Sequence, residues 1–83
     1  MSYAISLTAT VEKQLSKLNK ELNRRFFNKI EKLSDAPEAG KPLRSPLNGY
    51  WELYFEKSFR VLYTVDNKSK IVTIMAIRHK DEF

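Results

Sequence analysis

Seven residues between positions 52 and 83 have the types that acid–base and phosphate chemistry needs: Glu52, Arg60, Arg78, His79, Lys80, Asp81 and Phe83, with Tyr50 and Tyr54 close by in sequence. Side chains alternate between faces along a strand, so Glu52, Tyr54 and Arg60 fall on polar positions of adjacent strands and can share one face. Such a face offers a carboxylate, a bidentate phosphate binder and aromatic platforms. RNA cleavage by the 2′-hydroxyl uses these parts. One group takes the 2′-OH proton, another donates to the leaving 5′-oxygen, and cations oppose the charge that develops on the phosphorane. His79 is the chain's one histidine, and imidazole as a group, with its free pKa near ~6.5, suits either proton step at neutral pH. Plainer readings stand beside these. His79 can be a surface residue, Arg60 and Glu52 a cross-strand pair worth under ~1 kcal/mol, and Phe83 a seal on the core.

Other chemistries lack their parts. Two glycines do not make a phosphate-cradling loop, and one histidine with no cysteine argues against a zinc site. No cofactor and no metal site is expected. The absence of cysteine also excludes a disulfide framework, so the chain must be stable by packing alone, which suits a reducing cytoplasm. No apolar run of about 18 residues is present, and the N-terminus lacks the basic flank and apolar segment of a signal peptide. The expectation is a soluble, unexported, cytoplasmic protein with no membrane partner.

Eighty-three residues, 42% of them hydrophobic, bound the chain to one domain with a single modest core, spanning 1–83. Fifteen Lys and Arg against ten Asp and Glu give a net charge of +5. A small basic domain attracts polyanions, because each neutralised phosphate releases counterions. Nucleic acid is therefore the leading class of partner, against the plain alternative of a solvated basic surface.

The elements that must position the polar residues follow from periodicity. Tyr3, Ile5 and Leu7 alternate with Ala4 and Ser6, which predicts a short strand that joins the later sheet. Thr8 and Thr10 can cap a helix whose stripe is Val11, Leu15, Leu18 and Leu22, with Gln14 among the wet positions. Asn19 can cap a second helix carrying Leu22, Phe26, Ile30 and Leu33 to about Asp35. Arg24, Arg25, Lys29 and Lys32 occupy its other side. Pro37 and Pro42 end the helical region and open a loop that runs to Gly49, pinned by Leu43 and Leu47 and exposing Lys41 and Arg44.

Three runs, GYWELYF, FRVLYTVD and KIVTIMAIR, are rich in aromatic and β-branched residues and bounded by polar turns, so they read as an antiparallel meander. Trp51, Leu53 and Phe55 face one way in the first, as do Phe59, Val61, Tyr63 and Val65 in the second. Ile71 to Arg78 is apolar on both faces, which predicts a central or helix-covered strand. The fold class is α+β: an N-terminal strand, a two-helix hairpin, then a three-stranded meander, with the helices packed on one sheet face.

This order, with the segments Leu47-Asn48-Gly49-Tyr50-Trp51-Glu52-Leu53 and Phe59-Arg60-Val61-Leu62-Tyr63, resembles the RelE/ParE toxin superfamily of type II toxin-antitoxin modules. The ending His79-Lys80-Asp81-Glu82-Phe83, read as His-x-Asp-x-Phe, is similar to the close of the YafQ branch of the RelE-like messenger-RNA interferases. The layout covers nearly the whole chain, and the specific motifs lie within residues 47 to 83.

The resemblance implies a metal-independent, ribosome-dependent endoribonuclease that cuts messenger RNA in the A site and leaves a 2′,3′-cyclic phosphate. By the same resemblance Arg60 takes the place of the family's phosphate-binding arginine, His79 that of the catalytic histidine and Phe83 that of the terminal aromatic. Lys80 lies close to a basic catalytic residue of RelE. Glu52 and Tyr54 stand where several relatives carry basic residues, and no tyrosine stands at RelE's C-terminal position. The general base is Glu52 or His79, with Arg78 and Lys80 as charge stabilisers; Arg78, Phe83, Tyr54, Arg44 and Lys41 make up the RNA-contacting set. A cognate antitoxin is implied as partner, alongside the ribosome and messenger RNA, and the complex would bind operator DNA through the antitoxin. Two alternatives keep the fold: a ParE-like inhibitor of DNA gyrase, and a catalytically weak toxin that serves as antitoxin partner and corepressor.

Overall fold

The computed structural model describes residues 2–79. The local signals for the first half of the chain are read by the backbone much as their chemistry dictates. The strand β1 (Ala4–Leu7) leads to Thr8, whose hydroxyl accepts from the Val11 amide at 3.3 Å and caps α1 (Ala9–Ser16). Asn19 accepts from the Leu22 amide at 2.8 Å and caps α2 (Lys20–Glu31). Each cap satisfies an amide that the helix itself leaves unpaired, and its loss typically costs ~1 kcal/mol. The second helix tightens into a 3-10 turn at Lys32–Ser34 and ends before Pro37.

A five-stranded sheet follows the order β1-β5-β4-β3-β2, with β2 at Lys41–Pro42, β3 at Trp51–Phe55, β4 at Phe59–Asp66 and β5 at Ile71–His79. Strand β1 runs parallel to β5, reached through the helical crossover, and every other pairing is antiparallel. The apolar stripes of both helices meet one face of this sheet. Val11, Leu15, Phe26, Ile30 and Leu33 bury against Phe55, Val61, Tyr63, Val72, Ile74 and Ile77. The Phe26 and Phe55 rings meet edge to face with centroids 5.7 Å apart, the geometry that their quadrupoles favour.

Three expectations are corrected. The connection from Ala36 to Gly49 is not all loop: Lys41 and Pro42 pair with Glu52 and Trp51, adding a fifth strand. A two-residue strand is too short to show a period, which is why the pattern concealed it. Leu47 does not pin the loop, since it is 41% exposed; Leu43 is half-buried and its amide donates to the Tyr50 carbonyl at 2.9 Å. Gln14 is not a wet position. Its side-chain amide donates to the Ile77 carbonyl and accepts from the Ile77 amide, both at 2.7 Å. Pairing with β1 stops at Leu7 opposite Ile74, so beyond that point α1 takes over as β5's neighbour through Thr8 and Gln14.

Strand β5 is interior, as its apolar run predicts, lying between β1 and β4. Helices α1 and α2 bury their apolar stripes against one of its faces.

Candidate functional site

The register of the meander decides which polar residues meet. Tyr54 stands opposite Arg60, and Arg60 opposite Arg78, so three neighbouring strands carry one aromatic and two guanidinium groups in a single row. The next row is Lys41, Glu52, Leu62 and Ala76. Both rows lie on the far face of the sheet, away from α1 and α2, because Trp51, Leu53, Phe55, Val61 and Tyr63 alternate with them into the core. The sheet fixes these backbones, so the side chains start from a rigid platform.

Arg60 is the centre of this face. Its Nη1 donates to the Glu52 carboxylate at 3.4 Å, and its guanidinium carbon lies 5.2 Å from the centroid of the Tyr54 ring, within range of a cation–π attraction. The side chain of Arg60 is 30% exposed while that of Glu52 is 7% exposed. Two like charges directly opposite on paired strands repel, so the Arg60 and Arg78 row calls for nearby negative charge. Glu52 supplies it from within the sheet. Tyr54 is 58% exposed, which leaves one aromatic surface outward beside the two cations.

His79 stands elsewhere. It pairs with Phe59, and their rings meet edge to face with centroids 5.4 Å apart. Phe59 packs against the core on the helix side, so strand alternation turns His79 away from Arg60 and Arg78. The same alternation that groups Glu52, Tyr54 and Arg60 separates Arg78 from His79. Lys41 joins the far face through its register with Glu52, and Arg44 is exposed in the following loop. Lys80, Asp81 and Phe83 lie outside the described residues. Among the described residues no group of three or more His, Cys, Asp or Glu is placed to hold a metal ion.

Two residues that support this face escape a reading of the sequence. Gln14 braces the end of β5 that bears Arg78 and His79; its place three residues after Val11 and four before Leu18, on the apolar stripe, is the signal. Tyr63 is buried and uses its hydroxyl as a clamp, donating to the Pro37 carbonyl and accepting from the Gly40 amide, each at 2.9 Å. Burial raises the Tyr63 phenol above its ordinary value, with the Gly40 amide acting in the opposite sense. Gly40 is there because a Cβ would sit 2.5 Å from that hydroxyl and 2.6 Å from the Glu52 carbonyl oxygen. This clamp presses β2 and Lys41 onto the strand that carries Glu52.

A separate feature lies at the opposite edge of the sheet. Ile5, Leu7, Phe27, Ile30 and Glu31 line a groove of about 320 Å³ between β1 and α2, with Phe27 46% exposed. No helix among the described residues is long and apolar enough to cross a membrane.

A two-helix hairpin laid over a five-stranded, mostly antiparallel sheet is the RelE-like α+β fold. The chain belongs to the ParE toxin family of type II toxin-antitoxin systems, within the RelE/ParE superfamily; that family's pattern matches residues 5–82. It is 32% identical over 82 residues to a protein of Methanocaldococcus jannaschii named RelE4, covering 95% of this chain and 87% of that one. Among solved structures it is similar to a chain of the toxin-antitoxin complex RelBE2 from Mycobacterium tuberculosis, with a TM-score of 0.87 and 28% identity over 96% of this chain and all of that one. A mutant of the E. coli toxin RelE in the free state gives a TM-score of 0.80 at 21% identity, covering 99% of this chain and 87% of that one, a likeness of fold.

Proposed function

We propose that this toxin is a ribosome-dependent endoribonuclease that cuts messenger RNA in the A site through its far sheet face. The observation that carries the proposal is the cross-strand row Tyr54, Arg60 and Arg78, which sets two phosphate-binding cations beside a platform for a base. In this scheme the 2′-oxygen attacks phosphorus, the bond to the 5′-oxygen breaks, and a 2′,3′-cyclic phosphate remains. Arg60 holds the scissile phosphate and opposes the charge that builds on its oxygens, with Arg78 as second cation. Glu52, which shares this face with Arg60, takes the 2′-OH proton and the leaving oxygen takes one from Lys80, whereas His79, the other candidate for either step, is turned to the helix side of the sheet. Lys41, Arg44 and Phe83 extend the contact with RNA. No cofactor or metal enters the scheme.

A cognate antitoxin is the proposed protein partner, as in the RelBE complexes to which the fold is similar. The groove between β1 and α2 suits an apolar segment of such a chain, and the net charge of +5 favours an acidic one. Operator DNA would be reached through the antitoxin, and the setting is the cytoplasm.

A second reading draws on His79. Its packing against Phe59, on the helix side, favours a toxin that binds its target through the Arg60 face and cuts poorly or not at all. Gyrase inhibition and a corepressor role both fall under that reading. Primer extension on a translated messenger RNA, with and without ribosomes, separates the nuclease from both. New in-frame ends that require ribosomes and vanish in Arg60→Ala support the nuclease. No new ends, with growth arrest retained, would leave the binding toxin.

A further inference from the structure

The ion pair at the centre of the far face is unlike the other pairs of this protein. Glu52 is the one buried polar or charged residue among those described, and it is aimed at the arginine to which the proposed function gives the RNA phosphate. A carboxylate and a phosphate present the same feature to a guanidinium: negatively charged oxygens that accept its N–H bonds. Glu52 therefore holds the place that an RNA phosphate oxygen would take. Yet the contact is long. At 3.4 Å it exceeds the ~2.7–2.9 Å of a well-formed charge-assisted bond, so an incoming phosphate can form shorter and stronger bonds to the same group.

We infer that Glu52 is a built-in competitor for Arg60 and thereby a specificity-determining residue, admitting a phosphate only from RNA already held by other contacts. The inference rests on the proposed RNA-directed function. Its physical basis is effective concentration: Glu52 is tethered two residues from Tyr54 on the strand paired with Arg60, so it competes as an intramolecular ligand. Loose RNA must displace it from solution. An RNA positioned by further contacts competes on equal terms, because its phosphate is also local. The neighbours fit this arrangement. Lys41 stands opposite Glu52 on one side, and the Tyr54 ring lies against Arg60, so the guanidinium keeps an attractive surface whichever anion faces it. Gly40 lets β2 close onto the Glu52 backbone, which fixes the competitor in place.

The test is fluorescence anisotropy of a short labelled single-stranded RNA with the full chain, its Glu52→Gln, Arg60→Ala and doubly substituted forms, and Glu31→Gln as a control with the same change in net charge. Glu52→Gln should bind about tenfold tighter, equivalent to ~1.4 kcal/mol. That gain should disappear in the Arg60→Ala background, and Glu31→Gln should change binding by less than about twofold, the size of a remote surface charge. Glu52→Asp, whose shorter side chain reaches less far toward Arg60, should fall between wild type and Glu52→Gln and serves if the glutamine variant melts early. Binding by Glu52→Gln and Glu52→Asp no tighter than wild type, with Arg60→Ala weakened, would overturn the inference and leave the RNA reading standing. Equal tightening with and without Arg60 would also overturn it, showing a general charge effect. Equal binding by wild type and Arg60→Ala would remove the RNA reading itself.

Discussion

The molecule carries two arginine clusters, and they differ in everything but charge. On α2, Arg24 and Arg25 reach Glu21 at 2.5 and 3.0 Å, and Arg25 also reaches Glu56 at 2.9 Å, with both guanidinium groups at least half exposed. Hydrogen bonds from Arg24 and then Arg25 hold the Glu21 carboxyl below its ordinary range, while the bond to Glu56 leads in raising Arg25. On the sheet, Arg60 meets Glu52 at the longer 3.4 Å, but from a half-buried position on a strand fixed on both sides. Short contacts at a solvated helix surface are screened and entropically costly, so their geometry says little about importance. Where the backbone is rigid and solvent is partly excluded, a longer pair carries more consequence.

The two clusters should differ most in what their arginines bind. Arg60→Ala should lower binding of labelled RNA by about a hundredfold, the scale of losing a charge-assisted bidentate phosphate contact, whereas Arg24→Ala and Arg25→Ala should stay within about twofold. A comparable loss from α2 would mean that the helix, not the sheet, meets the nucleic acid.

The next effect is on the platform itself. Gly40→Ala brings a methyl group into the Tyr63 hydroxyl and the Glu52 backbone, and urea denaturation should show a loss of about 2–4 kcal/mol from overpacking and a broken clamp. The smaller brace comes third. Gln14→Leu strips two partners from the Ile77 backbone, so stability should drop by about 1–3 kcal/mol. Hydrogen exchange should quicken at the Ile77 amide before it does at Val72, which the β1 pairing protects. Unchanged exchange there would show that α1 does not support the end of β5.

Tyr63→Phe is the mildest, at about 1 kcal/mol for the lost hydroxyl bonds, and it adds a pH signature. Because folding raises the phenol, the neutral form is favoured in the native state. Its contribution is fully present below the unfolded value near ~10 and is lost as pH rises from there through the folded value. Wild-type stability should therefore fall across that alkaline window more steeply than that of the phenylalanine variant. Parallel curves would exclude Tyr63 as the source.

Much of this was legible from residue types. Thr8 and Asn19 cap the helices they were expected to cap, since an oxygen on a short side chain bonds the local amides wherever the segment lies. The meander and its inward residues follow from alternation, which depends only on backbone pleat. Grouping Glu52, Tyr54 and Arg60 on one face needed no more than that. Placing His79 beside them did not follow the same rule: sequence adjacency to Arg78 suggested company, and alternation applied to β5 would have separated the two.

What the sequence determined by itself was local: where helices start, which faces of strands are apolar, and the family resemblance that the comparison with RelE-like structures supports. Tertiary structure alone decided the rest. The pairing of Lys41 with Glu52, the Gln14 bond to a strand 63 residues away and the Tyr63 clamp on Gly40 join segments whose separation no local pattern encodes. The site shares this origin. Arg60, Arg78, Tyr54 and Glu52 come from three strands, and only the register of those strands, set by burial of the opposite face, brings a carboxylate and two guanidinium groups together.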